Sequence, residues 1–483
     1  MPILTLEAVL PPELAATLFR QAGFAARRAG KTRSVAADFA WLDTPKQALA
    51  AQGLALEAPA AGRAPRRLTR SLPDPDAFWR PATPAEALPL DGLAEPAETP
   101  LAAFAGRRVT VPLIDAVEAT LLHGSIRALS QDRPAARLTL TGPAEAVLET
   151  IRALAEHLAL LPPRSSLAEE ARAFALGEAI RPRRLGAPRL DPGLDVEAAL
   201  RLLLGHLVEI LIWFAPVAEA ADDPTGVHQM RVALRRLRSA LKAFRAAADG
   251  PALRRFDAEA KALARSLGPA RDWDVFLAGL GAELAGAMPD EPRIAALLAA
   301  GRRNREAGYA ALRAHLAGPG FRRLAWNAVA LDVLAPWRAE PDEDAAARRA
   351  APLPDLAEHL LSKRWRRLAA IGEDIAGLPD VEFHALRLDG KRLRYLAELF
   401  APLHGRKRSR RFLERLAEVQ EQFGLANDAT VARALVGGEA QGEGAWAAGV
   451  AEGWVRARSR RARGRAEKAW TALLAAEPFW DQR

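Results

Sequence analysis

The sequence predicts a chain of two structural classes in series, an α+β part first and an all-α part behind it, the second built from two copies of one helical unit. Three observations predict this. Residues 1–178 carry short alternating segments between turn signals, such as Arg107 to Leu113, Ala116 to Leu122 and Ala136 to Thr141, the period-2 pattern of strands. Residues 193–483 carry long Ala/Leu/Arg-rich amphipathic stretches at helical spacing. A repeat at an offset of 156 residues runs through that helical part.

Taken in order, the N-terminal part is punctuated by Pro and Gly between Ala58 and Pro100, and Ala144 to Leu161 has the apolar spacing of a helix. Arg181 to Gly193, with three prolines and two glycines, reads as a linker. The expected domains are therefore 1–178, a linker at 179–192, and a helical domain at 193–483. Its first repeat spans 193–335 and its second 355–483. Helices are expected to break at Pro216, Pro251, Gly268-Pro269, Pro289 and Pro319, and Ala335 to Pro354 reads as a mobile connector.

Composition narrows the function classes. The 483 residues are 50% hydrophobic and 26% charged, enough for more than one core. Lys and Arg exceed Asp and Glu by 68 to 59, a net charge of +9 that favours an anionic partner. Cysteine is absent, which excludes disulfides, thiolate metal sites and Cys nucleophiles, and fits a reducing compartment. Residues 1–12 have no basic leader region, and the longest apolar run, Ile210 to Val217, follows His206 and Glu209 and is short for a membrane span. A soluble, cytoplasmic protein with no membrane partner is expected. No Gly-rich phosphate loop, G-x-S-x-G elbow or H-E-x-x-H pair is present.

The repeat carries the chemistry. Residues 227–244 (VHQMRVALRRLRSALKAF) align with 383–400 (FHALRLDGKRLRYLAELF); the same offset pairs Phe256 with Phe412, Leu267-Gly268 with Phe423-Gly424, and Asp272 with Asp428. At 100° per residue from His228, residues Arg231, Arg235, Arg238, Lys242 and Arg245 fall between about −20° and −100°. Met230, Ala233, Leu234, Leu237, Leu241 and Phe244 lie opposite. In the second copy His384, Arg387, Lys391 and Arg394 take the cationic arc, with Leu386, Leu393, Ala397 and Phe400 inward.

A solvated charged face is the ordinary reading of one such helix. Here, though, residues 228–245 hold six Lys/Arg and no acid, and like charges stack at helical spacing where Glu normally interleaves. His228 to Arg245 covers about 26 Å of helix axis, and two such stripes facing one another would suit a long polyanion better than one compact metabolite. Arginine forks take phosphate oxygens bidentately. His228 and His384 follow the helix-start signals Asp223-Pro224-Thr225 and Pro379-Asp380, where free N–H groups and the dipole favour an anion. Each histidine either donates to that anion or caps its own helix; the residues alone leave both readings open. A metal reading has less support, because none of the eight histidines forms an i, i+3 or i, i+4 pair.

These segments, His-x-x-Arg-x-x-x-[Arg/Lys]-Arg-Leu-Arg, resemble the conserved histidine α-helical domain, CHAD. Leu267 to Asp272 (LGPARD) and Phe423 to Asp428 (FGLAND) are similar to its second signature. The resemblance covers roughly 193–483. It implies two pseudo-symmetric four-helix bundles around a basic central cleft that binds inorganic polyphosphate without hydrolysis, in some members at polyphosphate granules. Carried over, the polyphosphate-binding residues are His228, Arg231, Arg235, Arg238 and Lys242, with His384, Arg387, Lys391 and Arg394 opposite. No cofactor or metal is implied. Asp389 and Gly390 replace Ala233 and Leu234 of the first copy, and Glu398 replaces Lys242, so the second helix is expected to be the weaker ligand.

Residues 1–178 resemble a degenerate CYTH domain, the antiparallel β triphosphate tunnel. Phe39 to Leu56 (FAWLDTPKQALAAQGLAL) is similar to that family's Tyr-Phe-Asp-Thr-Pro segment and following Gly-Leu-Ala-Leu. The family's opening Glu-x-Glu-x-Lys falls here on Ile3, Thr5 and Glu7, its later basic pair on Glu57 and Pro59, and a paired-acid strand near Arg137, Thr139 and Thr141. A retained shell without triphosphatase activity is expected, since carboxylates hold the metal and cations the triphosphate. The competing readings are a working triphosphatase and a general nucleic-acid or granule-surface binder. Nucleic acid would want aromatics among the cations, and Phe244 lies on the core side.

Overall fold

The computed structural model describes residues 3–59, 67–70, 99–128, 130–221, 223–339, 342–375, 377–436 and 444–481. Most of the Pro- and Gly-rich stretch 58–100 lies outside them, as do the side chains of 425–428. The chain divides into two compact units: Met1–Arg184 with Leu316–Pro336, and Leu185–His315 with Trp337–Arg483.

The first unit is a curled antiparallel β half-barrel. Its strands are β1 (Ile3–Val9), β2 (Arg33–Ala36), β3 (Phe39–Asp43), β4 (Leu54–Pro59), β5 (Arg67–Arg70), β6 (Thr99–Pro112), β7 (Glu118–Ala128) and β8 (Gln131–Pro143). The order is β1-β8-β7-β6-β3-β4-β5, with β2 paired to β6. Period-2 alternation places Leu4, Leu6 and Ala8 of β1 in the core and Thr5 and Glu7 on the other face. Short helices α1 (Pro12–Ala15), α2 (Ala22–Ala25) and α3 (Ala48–Ala51) fill the connections. The buried Asp43 carboxylate accepts the N–H groups of Thr44, Leu49 and Ala50 at 2.7, 2.9 and 3.0 Å, which folds the Asp-Thr-Pro segment into a turn. α4 (Ala144–Ala155) stops six residues short of the expected Leu161, and α5 (Leu167–Leu176) starts at a Ser166 cap accepting from Glu169 N–H.

The second unit is helical: α6 (Val196–Ala220), α7 (Thr225–Ala243), α8 (Pro251–Phe276), α9 (Ala282–Ala287), α10 (Pro292–Ala317), then α12 (Glu343–Ala350), α13 (Leu353–Ala369), α14 (Asp380–Phe400), α15 (Arg406–Val436) and α16 (Gly444–Leu474), while α11 (Pro319–Leu334) belongs to the first unit. α6 is long and apolar enough to cross a membrane, contrary to the reading of its sequence as too short, but 67% of that apolar window is buried inside the protein. Pro251 and Pro319 begin helices as expected, whereas Pro216 and Pro269 lie inside α6 and α8. A proline removes only one ladder bond, and here the helix continues past it, packed by its neighbours.

Residues 335–354 are not the loose connector expected. α12 forms there, and Glu197 of α6 anchors the segment by accepting from Trp337 Nε1 at 2.9 Å and Arg338 Nε at 2.7 Å. Burial acts to raise the Glu197 pKa, and the bonds from Arg338 and Trp337 outweigh it and hold the carboxylate below its ordinary value.

Elements one offset apart meet each other: α6 packs on α13, α7 on α14 and α8 on α15. Val196 N–H donates to Ala351 O at 3.1 Å, and Leu353 N–H returns the bond to Leu194 O at 3.0 Å. Phe244 and Phe400, equivalents by sequence, have ring centroids 6.3 Å apart.

Residues 316–335, expected in the first helical repeat, fall instead in the first unit, where α11 packs on α4. Buried Arg322 donates to Ala155 O at 2.6 Å and Glu156 O at 3.2 Å, satisfying carbonyls at the end of α4. Trp326 Nε1 donates to Leu160 O at 2.9 Å, and Arg323 pairs with Glu156 at 2.8 Å.

Candidate functional site

α7 crosses α6 closely at its start. A Cβ on Gly226 would stand 2.4 Å from the Ala218 nitrogen, so only glycine permits the approach. With the helix so placed, Val227, Met230, Ala233, Leu234, Leu237, Ala240 and Phe244 are buried. His228, Arg235 and Lys242 are exposed, and Arg231 and Arg238 half-buried.

Basic groups from two helices converge on the first turns of α7. Partial burial lowers the His228 pKa most, and Arg271 of α8, Arg235 and Arg231 lower it further. His228 is therefore neutral at pH 7 and offers one donor and one acceptor. Arg231 reaches α8, its Nη1 lying 3.8 Å from where a Cβ on Gly268 would stand. Asp272 is the carboxylate of the cluster; partial burial pushes its pKa up, against Arg231 and Arg271. Among the described residues no carboxylate lies within ion-pair distance of Arg231, Arg235, Lys242 or Arg271.

The rest of the stripe is neutralised by the protein itself. Arg238 Nε donates to Asp257 of α8 at 2.9 Å. Asp249 takes Arg254 at 2.8 Å and Arg245 at 3.3 Å, which hold its carboxyl well below the usual range. Residues 228–245 themselves hold no acid; the neutralising carboxylates, Asp257 and Asp249, come from α8 and the turn before it. Lys242 lines a surface cleft with Phe244, Arg245, Asp249 and Arg254.

The second copy is quieter. His384 is exposed and Arg387 and Lys391 are half-buried, but Arg394 Nε donates to Glu398 at 2.7 Å. Glu398 also acts on Arg236 of α7, whose pKa burial lowers and Glu398 raises. Asp389 pairs with Arg392 at 2.6 Å and Arg367 at 3.3 Å. Gly390 has a packing reason: a Cβ there would stand 2.4 Å from Gln420 Nε2.

The β1 face holds the positions that correspond to the triphosphate-tunnel motif. Ile3 pairs with Pro143, Thr5 with Thr141 and Glu7 with Thr139. The hydroxyls of Thr5 and Thr141 are 3.1 Å apart. Buried Arg137 lies 3.2 Å from Glu7 and 2.6 Å from Glu170, which also accepts Ser165 Oγ at 2.9 Å. Burial pushes the Glu7 pKa up, Arg137 opposes it and Glu170 adds to it. On β4, Glu57 pairs with Trp41 and Pro59 with Phe39. Among the described residues no three His, Cys, Asp or Glu side chains gather to hold a metal ion.

A scan against family models matches the CHAD domain over residues 198–437. The chain contains a CHAD domain. The crystal structure of the CHAD domain from the plant Ricinus communis is similar to this chain at 29% identity and a TM-score of 0.51, over 62% of this chain and 99% of that one. PptA from Streptomyces chartreusis is similar at 18% identity and a TM-score of 0.43, over 58% of this chain and 100% of that one. No curated protein matches the chain. The CHAD match spans both repeated helices and every cluster residue, including Arg271 of the LGPARD segment, to which the sequence alone assigns no role. Its signal was the shared offset of that block with the α7 motif.

Proposed function

We propose that the CHAD domain binds inorganic polyphosphate and does so without hydrolysing it. The observation that carries this reading is the gathering of Arg231, Arg235 and Arg271 around His228, with Asp272 near Arg231 and Arg271. Like charges so placed repel each other, and a condensed phosphate chain would relieve that repulsion through bidentate, charge-assisted bonds. His228, Arg231, Arg235 and Lys242 are the main ligands, with Arg238, His384, Arg387, Lys391 and Arg394 as lesser ones. The reciprocal bonds between Val196, Ala351, Leu353 and Leu194, and the contact of Phe244 with Phe400, support two pseudo-symmetric helical units about one axis.

The N-terminal unit is proposed to be a CYTH-like shell without triphosphatase activity. In support, Glu7 is committed to Arg137, and Thr5 meets another threonine rather than a second carboxylate. The whole protein is proposed to be cytoplasmic and recruited to polyphosphate granules.

The test is retention on immobilised long-chain polyphosphate, with duplex DNA and RNA as competitors and phosphate release from tripolyphosphate measured with Mg²⁺ or Mn²⁺. Polyphosphate is expected to displace nucleic acid, with affinity falling steeply with salt. Nucleic acid that resists displacement favours the general polyanion reading, and metal-dependent turnover overturns the non-enzymatic one.

A further inference from the structure

The chain has only two tyrosines, Tyr309 and Tyr395, and each lies beneath an arginine. Tyr309 is buried and its hydroxyl is committed to Asp274 at 2.8 Å, with Arg305 on the same carboxylate at 2.7 Å, a structural network inside the first repeat. Tyr395 is different. It is half-buried on α14, and the guanidinium carbon of Arg235, on α7, stands 4.7 Å from its ring centroid. This contact joins the two repeats at the edge of the cationic cluster.

Resting on the polyphosphate reading, we infer that Tyr395 is a positioning residue: its ring, supplied by the second repeat, holds the Arg235 fork of the first repeat in the orientation that receives phosphate. An exposed arginine has many rotamers, and fixing them on binding costs entropy. A ring face under the guanidinium removes part of that cost in advance and leaves the N–H edges free for oxygen, because stacking uses the face of the fork and hydrogen bonds use its rim.

The repeat supplies an internal control. One offset away, Arg235 becomes Lys391 and Tyr395 corresponds to Ser239. The Ser239 hydroxyl donates back to the Arg235 carbonyl at 2.8 Å and has no ring to offer. Planar cation and aromatic platform occur together in one crossing, and a flexible ammonium and a small hydroxyl occur together in the other. The two substitutions go in step, as expected if the ring matters for what the arginine does.

The experiment is a double-mutant cycle on the full chain, read as polyphosphate affinity, with Y395L, R235L and the double variant, melting temperature measured throughout and Y395Q as a second ring-less variant. Y395L is expected to weaken binding about three- to fivefold and R235L about tenfold, with the double variant no weaker than R235L. Y395F, which keeps the ring, is expected to recover the affinity lost in Y395L. Independent losses that multiply in the double variant overturn the inference while leaving the polyphosphate reading intact, as does a Y395L or Y395Q that is folded and binds normally. A wild-type chain that does not retain polyphosphate overturns both.

Discussion

α7 and α14 carry one motif at one offset, yet they treat their charge in opposite ways. On α7 the acids come from outside the helix and reach Arg238, while Arg231, Arg235 and Lys242 have no carboxylate at ion-pair distance among the described residues. On α14 the acids lie within the helix, Glu398 on Arg394 and Asp389 on Arg392. The same comparison holds in the core. Leu234 of α7 corresponds to Gly390 of α14, and Ala264 of α8 corresponds to Gln420 of α15, so the large side chain has moved from one helix to the other. A repeat fixes where side chains stand; it leaves open which of them carry charge or volume.

The largest expected effect breaks that comparison directly. Arg231→Glu with Arg235→Glu should lower polyphosphate affinity by on the order of a hundredfold, while Lys391→Glu with Arg394→Glu costs about tenfold. Circular dichroism should be unchanged for the first pair, because both side chains point away from the buried stripe. Equal losses from the two repeats would mean that the asymmetry has no bearing on binding.

The core swap comes next. Gly390→Leu, which restores the first repeat's residue, should destabilise the protein by about 1–3 kcal/mol through its clash with Gln420. Adding Gln420→Ala should recover most of the loss in urea denaturation, since the two changes share one space. An additive pair would show that volume exchange is not what links them.

The smallest effect is in pH. His228 has its folded pKa below the ordinary 6.5, through burial first and Arg271, Arg235 and Arg231 after it. Its contribution to stability is thus present above pH 6.5 and declines as pH falls through that value toward the depressed one. A bound polyanion screens the arginines and favours the imidazolium, so binding takes up a proton. Affinity should rise about threefold on lowering pH from 7.5 to 6, and His228→Asn should flatten the trend while the equivalent His384→Asn leaves it in place.

Much of this was legible in the sequence for a physical reason. Strands β6 to β8 follow from alternation, and the buried and cationic arcs of α7 follow from helical period, because both depend on local spacing. The pairing of Arg238 is not legible there, because it depends on how α7 sits against Asp257, which no window of α7 contains. Pro216 and Pro269 were read as breaks from local propensity, which the surrounding helices override. Arg271 does not stand out in the sequence, because its nearness to His228 is a tertiary fact.

The path of the backbone through α11 has a consequence for how the two units part. The polypeptide crosses between them three times, at 184–185, 315–316 and 336–337, and the last two crossings return to a body already begun. A nick in the proline-rich linker therefore leaves the chain joined through α11, which the β unit holds by Arg322 on the last carbonyls of α4. A gene fragment ending at that linker would likewise encode a half-barrel short of one of its own layers.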